Sequence, residues 1–191
     1  MKNSFNRAAR LEKPRALLPG LLEIPSGIWL DAGCGDGVFA DVLCESNPAE
    51  LCVIGLDRDR YTLRRFSNCL DSKQHPALAV LGDLESELPF TGLDGILLAN
   101  VLHYFAHPEQ VNILRRAARA MKHSGMLVIV EYNSSQPTTA VPHPIPLSAI
   151  SQLLKDAKFI APQKISRVSS SYLKEMYAVR TQRLHGFSEA Q

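Results

Sequence analysis

The run Ile28-Trp29-Leu30-Asp31-Ala32-Gly33-Cys34-Gly35-Asp36-Gly37 constrains this chain more than any other stretch. A short apolar segment stops at three glycines set at alternate positions, and Val38, Phe39, Val42 and Leu43 then recur at helical spacing. That order reads as strand, tight turn and helix. Glycine suits such a turn because the backbone bends sharply and admits a ligand where a Cβ would collide. The spacing is G-x-G-x-G behind an acidic residue, not the G-x-G-x-x-G that turns a helix amino terminus toward a pyrophosphate. It disfavours a nicotinamide dehydrogenase.

The alternation recurs downstream. Leu51-Cys52-Val53-Ile54-Gly55-Leu56 ends at Asp57, and a charged helix follows through Arg60, Leu63, Arg64 and Phe66. Ala77 to Leu81 is a third short strand, and Gly95-Ile96-Leu97-Leu98-Ala99 a fourth, apolar on both faces as a strand between helix layers should be. Pro108 opens a helix with Val111, Leu114, Ala118 and Met121 on its buried face, which Gly125 is expected to stop in a left-handed conformation. Met126 to Val130 is a fifth strand. Ser148 to Phe159 reads as an amphipathic helix with Ile150, Leu153 and Leu154 inward, and the runs Lys164 to Ser170 and Met176 to Thr181 suit an antiparallel hairpin at the sheet edge. Strands alternating with helices imply right-handed crossovers and ligands at the carboxyl ends of the strands. The expected fold is an α/β, Rossmann-like three-layer sandwich, with a mainly parallel seven-stranded sheet and an antiparallel C-terminal hairpin strand. Residues 1–26, basic and carrying Leu17, Leu18, Leu21 and Leu22, are expected to form a leading helical segment, 27–183 the main domain, and 184–191 a flexible tail.

A chain of 191 residues, 46% of them hydrophobic, is long enough to bury the core of one domain. Its 21 basic and 19 acidic residues are spread along the sequence, which neither demands nor excludes nucleic acid. Cys34, Cys44, Cys52 and Cys69 lack the paired spacing of a zinc site, and no secretory signal precedes them, so reduced thiols and no metal are expected. The apolar stretch from Leu93 to Leu102 is broken by Asp94, Gly95 and Asn100 and falls short of the about 20 residues that cross a bilayer. A soluble cytoplasmic protein without membrane contact is the expectation.

The segment Asp31-Ala32-Gly33-Cys34-Gly35-Asp36-Gly37 resembles the first motif, D-x-G-x-G-x-G, of the class I S-adenosylmethionine-dependent methyltransferases (type 11-like), and the resemblance runs from about Ile28 to Val130. Asp57, about 20 residues beyond the loop, stands where an acidic residue accepts from ribose hydroxyls. Gly82-Asp83-Leu84 resembles the segment that meets adenine, and Asp94 to Asn100 the fourth motif, beside the methionine part of the cofactor. Leu114 to Glu131 resembles the helix, turn and strand that follow. The resemblance implies S-adenosylmethionine as cofactor and S-adenosylhomocysteine as product, held by Asp31, Gly33, Cys34, Gly35, Gly37, Asp57, Arg58, Asp83, Leu84 and Asn100. Turn and cap chemistry is the competing role for Asp31, Asp36 and Asp57.

The acceptor side is expected beyond the later strands. His103, just after the fourth strand, is the candidate general base, and Tyr104, Glu131, Tyr132 and His143 are the expected acceptor pocket. Helix-start packing for Tyr104 and surface pairing for Glu131 are the alternatives. Val141-Pro142-His143-Pro144-Ile145-Pro146 is a stiff extended loop expected to border the site. A small-molecule acceptor is the leading expectation. An RNA or protein acceptor is the first alternative, with Arg7, Arg10, Lys13 and Arg15 as a basic arm and Arg115, Arg116 and Arg119 as a solvated helix face. The fourth strand lacks the N-P-P-Y type of ending used on planar amines, and a non-catalytic interaction module is the alternative of another class.

Overall fold

The computed structural model describes residues 2–19, 26–46, 51–70 and 76–184. Leu21, Leu22 and the tail from 185 onward lie outside the described residues, whereas Leu184 is tied back by its N–H to the Lys158 carbonyl at 3.0 Å. The elements follow as α1 (Lys2–Leu17), β1 (Gly27–Ala32), α2 (Val38–Ser46), β2 (Leu51–Asp57), α3 (Arg60–Leu70), β3 (Ala77–Leu81) and β4 (Leu93–Ala99). A single 3-10 turn (Leu102–Tyr104) precedes α4 (His107–Ala120), β5 (Met121–Tyr132), α5 (Ile150–Asp156), β6 (Gln163–Ser170) and β7 (Lys174–Thr181).

The strands form one seven-stranded sheet in the order β3-β2-β1-β4-β5-β7-β6. Pairings from β3 to β5 are parallel, and β7 runs antiparallel to both β5 and β6. The chain reverses its order between β1 and β4, and such a switch opens a crevice at the strands' carboxyl ends.

Both faces of the central strands are buried, so register is set by residue parity. Leu30, Ile54, Ile96, Leu98, Leu127 and Ile129 face the layer of α4 and α5. Trp29, Val53, Leu97, Val128 and Val130 face the opposite core, which includes Leu11, Leu17 and Leu18 of the leading segment and α2 residues such as Leu43. The leading helix therefore helps close a core face of the main domain. Arg15 fixes it further, its Nε and Nη2 donating to Glu45 at 2.8 and 2.9 Å.

The structure corrects two expectations. Helix α4 ends at Ala120, not at Gly125: Met121 is already extended (φ −87°, ψ 150°) and pairs with Leu93, while Gly125 has no positive φ. Pairing to the sheet overrides the local cap, and the surplus residues appear as an irregularity between Leu93 and Gly95. Helix α5 is also shorter than the apolar pattern implied, although Ile150, Leu153 and Leu154 are buried as expected.

Gly95 leaves room for the Trp29 indole, since a Cβ built there lies 2.3 Å from the ring. Gly95→Ala is expected to lower stability by roughly 1–3 kcal/mol through overpacking. Urea unfolding should show a lower midpoint at unchanged slope, and an unchanged midpoint would mean that the Trp29 layer yields freely.

Candidate functional site

The loop after β1 is built by its amides. The N–H groups of Gly33 and Cys34 donate to the Leu56 carbonyl at 2.7 and 3.1 Å, Gly35 donates to Asp57 Oδ2 at 2.9 Å, and Gly37 donates to the Cys34 carbonyl at 2.9 Å. Gly33 has φ 77° and gives way to Val101, whose side chain would meet a Cβ at 2.5 Å. Gly35 has φ 52°, and a Cβ there would meet nothing within 4 Å, so its bare face looks into open space. That space is a cleft of about 390 Å³, lined from β1 by Gly33, Cys34, Gly35 and Asp36, from β2 by Leu56, Asp57 and Arg58, and from β3 by Gly82, Asp83 and Leu84. From β4 come Ala99, Asn100, Val101, Tyr104 and Phe105, with Val38 and Phe39 from the start of α2. The volume lies in the range of small-ligand sites.

Asp57 is held from both sides, since its second oxygen accepts from Asp59 N–H at 2.8 Å. Each oxygen keeps a lone pair for a ligand. Asp83 accepts from Glu85 N–H at 3.0 Å, so the turn role and a place in the cleft coexist in one residue. Leu84 is buried, and its carbonyl receives Arg116 Nη1 at 3.1 Å, while the same nitrogen pairs with Glu109 at 2.6 Å. Arg116 thus braces a cleft wall, and Arg115 and Arg119 reach the Asp156 carbonyl and Glu87. The three arginines tie α4 to its surroundings and do not form a free solvated face.

Asp31 lies beneath the loop, fully buried, with the Ala40 N–H at the start of α2 as one partner. The cap role is therefore real, but Oδ2 has no partner among the described residues. Asn100 adopts φ 54°, uncommon for a residue with a side chain, and its buried Oδ1 is likewise without a partner. Burial pushes Cys34 Sγ well above the ordinary thiol range, with Asp31 and Asp57 adding to the effect, which makes it an inert wall of the loop.

Behind Tyr104 lies a buried pair. His103 Nδ1 is 2.6 Å from Glu131 Oε2, and the His103 backbone N–H reaches Oε1 at 3.3 Å. Surface pairing of Glu131 is thereby corrected, because its side chain is fully enclosed. Neither residue lines the cleft itself, but the His103 ring lies 4.4 Å from Tyr104, which does, and 5.9 Å from Tyr132. Burial, with Glu131 next, pushes the Tyr132 hydroxyl above its usual value. Tyr172, in the turn between β6 and β7, extends this line 5.7 Å beyond Tyr132, and nothing local in the sequence signalled it. The proline loop reaches the site by its backbone, His143 N–H donating to the His103 carbonyl at 2.9 Å. The His143 side chain belongs instead to a second cavity of about 420 Å³, with His107, Gln110, Pro142 and Pro144.

A family model described as a methyltransferase domain matches residues 30–125. The chain belongs to the class I S-adenosylmethionine-dependent methyltransferases. The ribosomal RNA small subunit methyltransferase C of Pseudomonas syringae pv. syringae is 32% identical over 128 residues, 65% of this chain and 38% of that protein. This chain thus spans under two-fifths of the length of the curated relatives it matches. Among solved structures, a TehB-like S-adenosylmethionine-dependent methyltransferase from Corynebacterium glutamicum has a TM-score of 0.66 at 19% identity, covering 96% of this chain and 97% of that one. A methyltransferase of calicheamicin biosynthesis, solved with its S-adenosylhomocysteine bound, has a TM-score of 0.71 at 19% identity, covering 96% and 55%. At these identities the structures support the fold. The residues fit the family's cofactor: Asp57 is anchored for a diol, Gly35 leaves the backbone bare, and the Asn100 Oδ1 without a partner among the described residues suits a cationic group, whereas Asp31 does not line the cleft. Among the described residues no cluster of metal-ligating side chains occurs, and no helix is long and apolar enough to cross a membrane.

Burial, with a smaller push from Asp57, raises the Asp31 carboxyl to about 7 despite the Ala40 hydrogen bond. A carboxyl that holds its proton more tightly when folded stabilises the protein at low pH, and that contribution is lost as pH climbs from about 4 through about 7. In urea unfolding, Asp31→Asn is expected to gain on the wild type across that window, by up to about 1 kcal/mol per pH unit. Parallel pH curves would show that Asp31 titrates normally.

Proposed function

We propose that this chain binds S-adenosylmethionine in the cleft and transfers its methyl group to a small, planar acceptor entering beside Tyr104, leaving S-adenosylhomocysteine. One juxtaposition carries the reading: the buried His103–Glu131 pair, at 2.6 Å, stands directly behind the tyrosine that forms the cleft mouth. When bound, S-adenosylmethionine supplies a methyl group on an already activated sulfonium, so the protein's share is placement, which reaches roughly 7–11 kcal/mol in well-oriented reactions.

The fixed carboxylate of Asp57 takes the ribose side, and Asp83 with Leu84 takes the edge and face of the base. Val38, Phe39, Val101 and Phe105 exclude water from the walls. Because His103 Nδ1 faces a carboxylate, the imidazole proton sits on Nδ1 and Nε2 keeps its lone pair. His103 Nε2 would take the proton of an acceptor hydroxyl only where that hydroxyl passes Tyr104, because the ring is buried and does not line the cleft, and Glu131 would then balance the charge. Tyr104, Tyr132 and Tyr172 offer ring faces and edges to a flat acceptor.

An RNA acceptor is the second reading, favoured by the 32% identity to a ribosomal RNA methyltransferase. Weighing against it, Arg15 of the expected basic arm is engaged by Glu45 through two guanidinium nitrogens. Steeply salt-dependent RNA binding would favour that reading instead.

Isothermal titration with S-adenosylmethionine and S-adenosylhomocysteine is expected to give micromolar dissociation constants in the wild type, weakened about tenfold or more in Asp57→Ala as charged hydrogen bonds are lost. No heat with either ligand would reject the reading. With a phenolic acceptor found by screening, His103→Gln should lower kcat about 10²- to 10⁴-fold and leave the cofactor constants alone; an unchanged kcat would remove His103 as the base.

A further inference from the structure

The amino-acid end of S-adenosylmethionine carries a carboxylate, and glycine loops commonly meet anions with their backbone N–H groups and a helix amino terminus. Here four of the loop amides are engaged inward. Gly33 and Cys34 N–H point to Leu56, Gly35 N–H to Asp57 and Gly37 N–H to Cys34. The start of α2 already has a carboxylate, because Asp31 takes the Ala40 N–H. Among the residues lining the cleft, the charged groups are Asp36, Asp57 and Asp83 against Arg58 alone, and Arg58 follows Asp57 on the ribose side. A ligand carboxylate at the loop would meet Asp36 with no cation from the cleft walls.

Arg10 supplies one from outside the strands. Its Nη2 lies 2.6 Å from Asp36 Oδ2, in a pair whose side chains are 46% and 34% exposed. A pair that exposed is worth about 0–1 kcal/mol, so opening or sharing it costs little. The helix that carries Arg10 is fixed by buried Leu11 and Leu17, with Leu18 just after it, so the guanidinium is delivered from a firm base. Its five donors are enough for Asp36 and a second carboxylate together.

We propose that Arg10 binds the carboxylate of the cofactor's methionine moiety, with Asp36 as its partner when no ligand is bound. This rests on the reading that the cleft takes S-adenosylmethionine, and it makes α1 part of the cofactor site.

The test compares S-adenosylhomocysteine with 5′-methylthioadenosine, which keeps the nucleoside and lacks the amino-acid end, by calorimetry on wild type, Arg10→Ala and Arg15→Ala. Arg10→Ala should weaken S-adenosylhomocysteine about 10- to 100-fold, the loss of a charged hydrogen-bonded contact, and leave 5′-methylthioadenosine unchanged. Arg15→Ala, which removes the other ion pair of the same helix, should change neither. Equal losses on both ligands, no loss on either, or the same loss in Arg15→Ala would overturn the proposal, since each would make Arg10 at most a support for α1 or the loop. A wild type that binds neither ligand would overturn the cofactor reading itself.

Discussion

Leu56 offers its carbonyl oxygen to two amides of the glycine loop, and Asp57 offers a carboxylate oxygen to a third, so the loop after β1 is stitched to the end of β2 before any ligand arrives. The stitching depends on register, because Ala32 pairs with Leu56. A slip of one residue would exchange the two faces of β2 and carry the Asp57 carboxylate away from Gly35. What forbids the slip is burial on both faces: Val53 and Ile54 each have a core to fill. Hydrophobic packing far from the cleft thus sets the geometry inside it.

That dependence explains which parts of the site were legible in the sequence. Strand ends are readable and their segments resemble family motifs, so Asp57, Asp83, Leu84 and Asn100 were expected at the cleft that they line. Partners across the fold were not. Leu84 is held by Arg116, 32 residues away, and His103 meets Glu131 across 28 residues only because Ala99 pairs with Val130. Position at the end of β5 left Glu131 open between pocket and surface; the register of two parallel strands decides it. Tyr172 lay in a hairpin turn with no local signal at all. Gly125 failed in the opposite way, because a sound local cap rule lost to a sheet partner for Met121.

The site also holds features that are costly in isolation. Among the described residues Asp31 has a buried oxygen without a partner, and Asn100 keeps a left-handed backbone with its side-chain oxygen likewise unmatched. Unpaired buried acceptors cost about 1–3 kcal/mol each, and strained backbone persists where its surroundings over-determine it. Both residues sit at the strand ends bordering the topological switch, and Asn100 lines the cleft, where a cationic ligand would supply its missing donor. The same cost rises with pH at Asp31, since its carboxyl must ionise in a dry place.

The three sides of the cleft are secured by different means, and this bears on how they can vary. On the proposed reading the nucleoside side rests on backbone and strand register, which any substitution must preserve. On the same reading the amino-acid side draws on α1, held to the body by a few leucines, exposed ion pairs and the Ser166 hydroxyl on the Leu17 carbonyl. The acceptor side is furnished by residues after β4: the His103 turn, the end of β5, the proline loop and the β6–β7 hairpin. In and just after the proline loop the backbone is fixed by separate hydrogen bonds, such as Tyr177 Oη donating to the Ile145 carbonyl at 2.8 Å and Leu147 N–H donating to Asn133 at 2.9 Å, whereas the end of β5 and the β6–β7 hairpin are tied into the sheet. Single hydrogen bonds contribute about 1 kcal/mol net, little beside a sheet whose two faces are buried. A change of acceptor made at exposed positions of the proline loop therefore disturbs the fold less than one at His103 and Glu131, which are locked between β4 and β5.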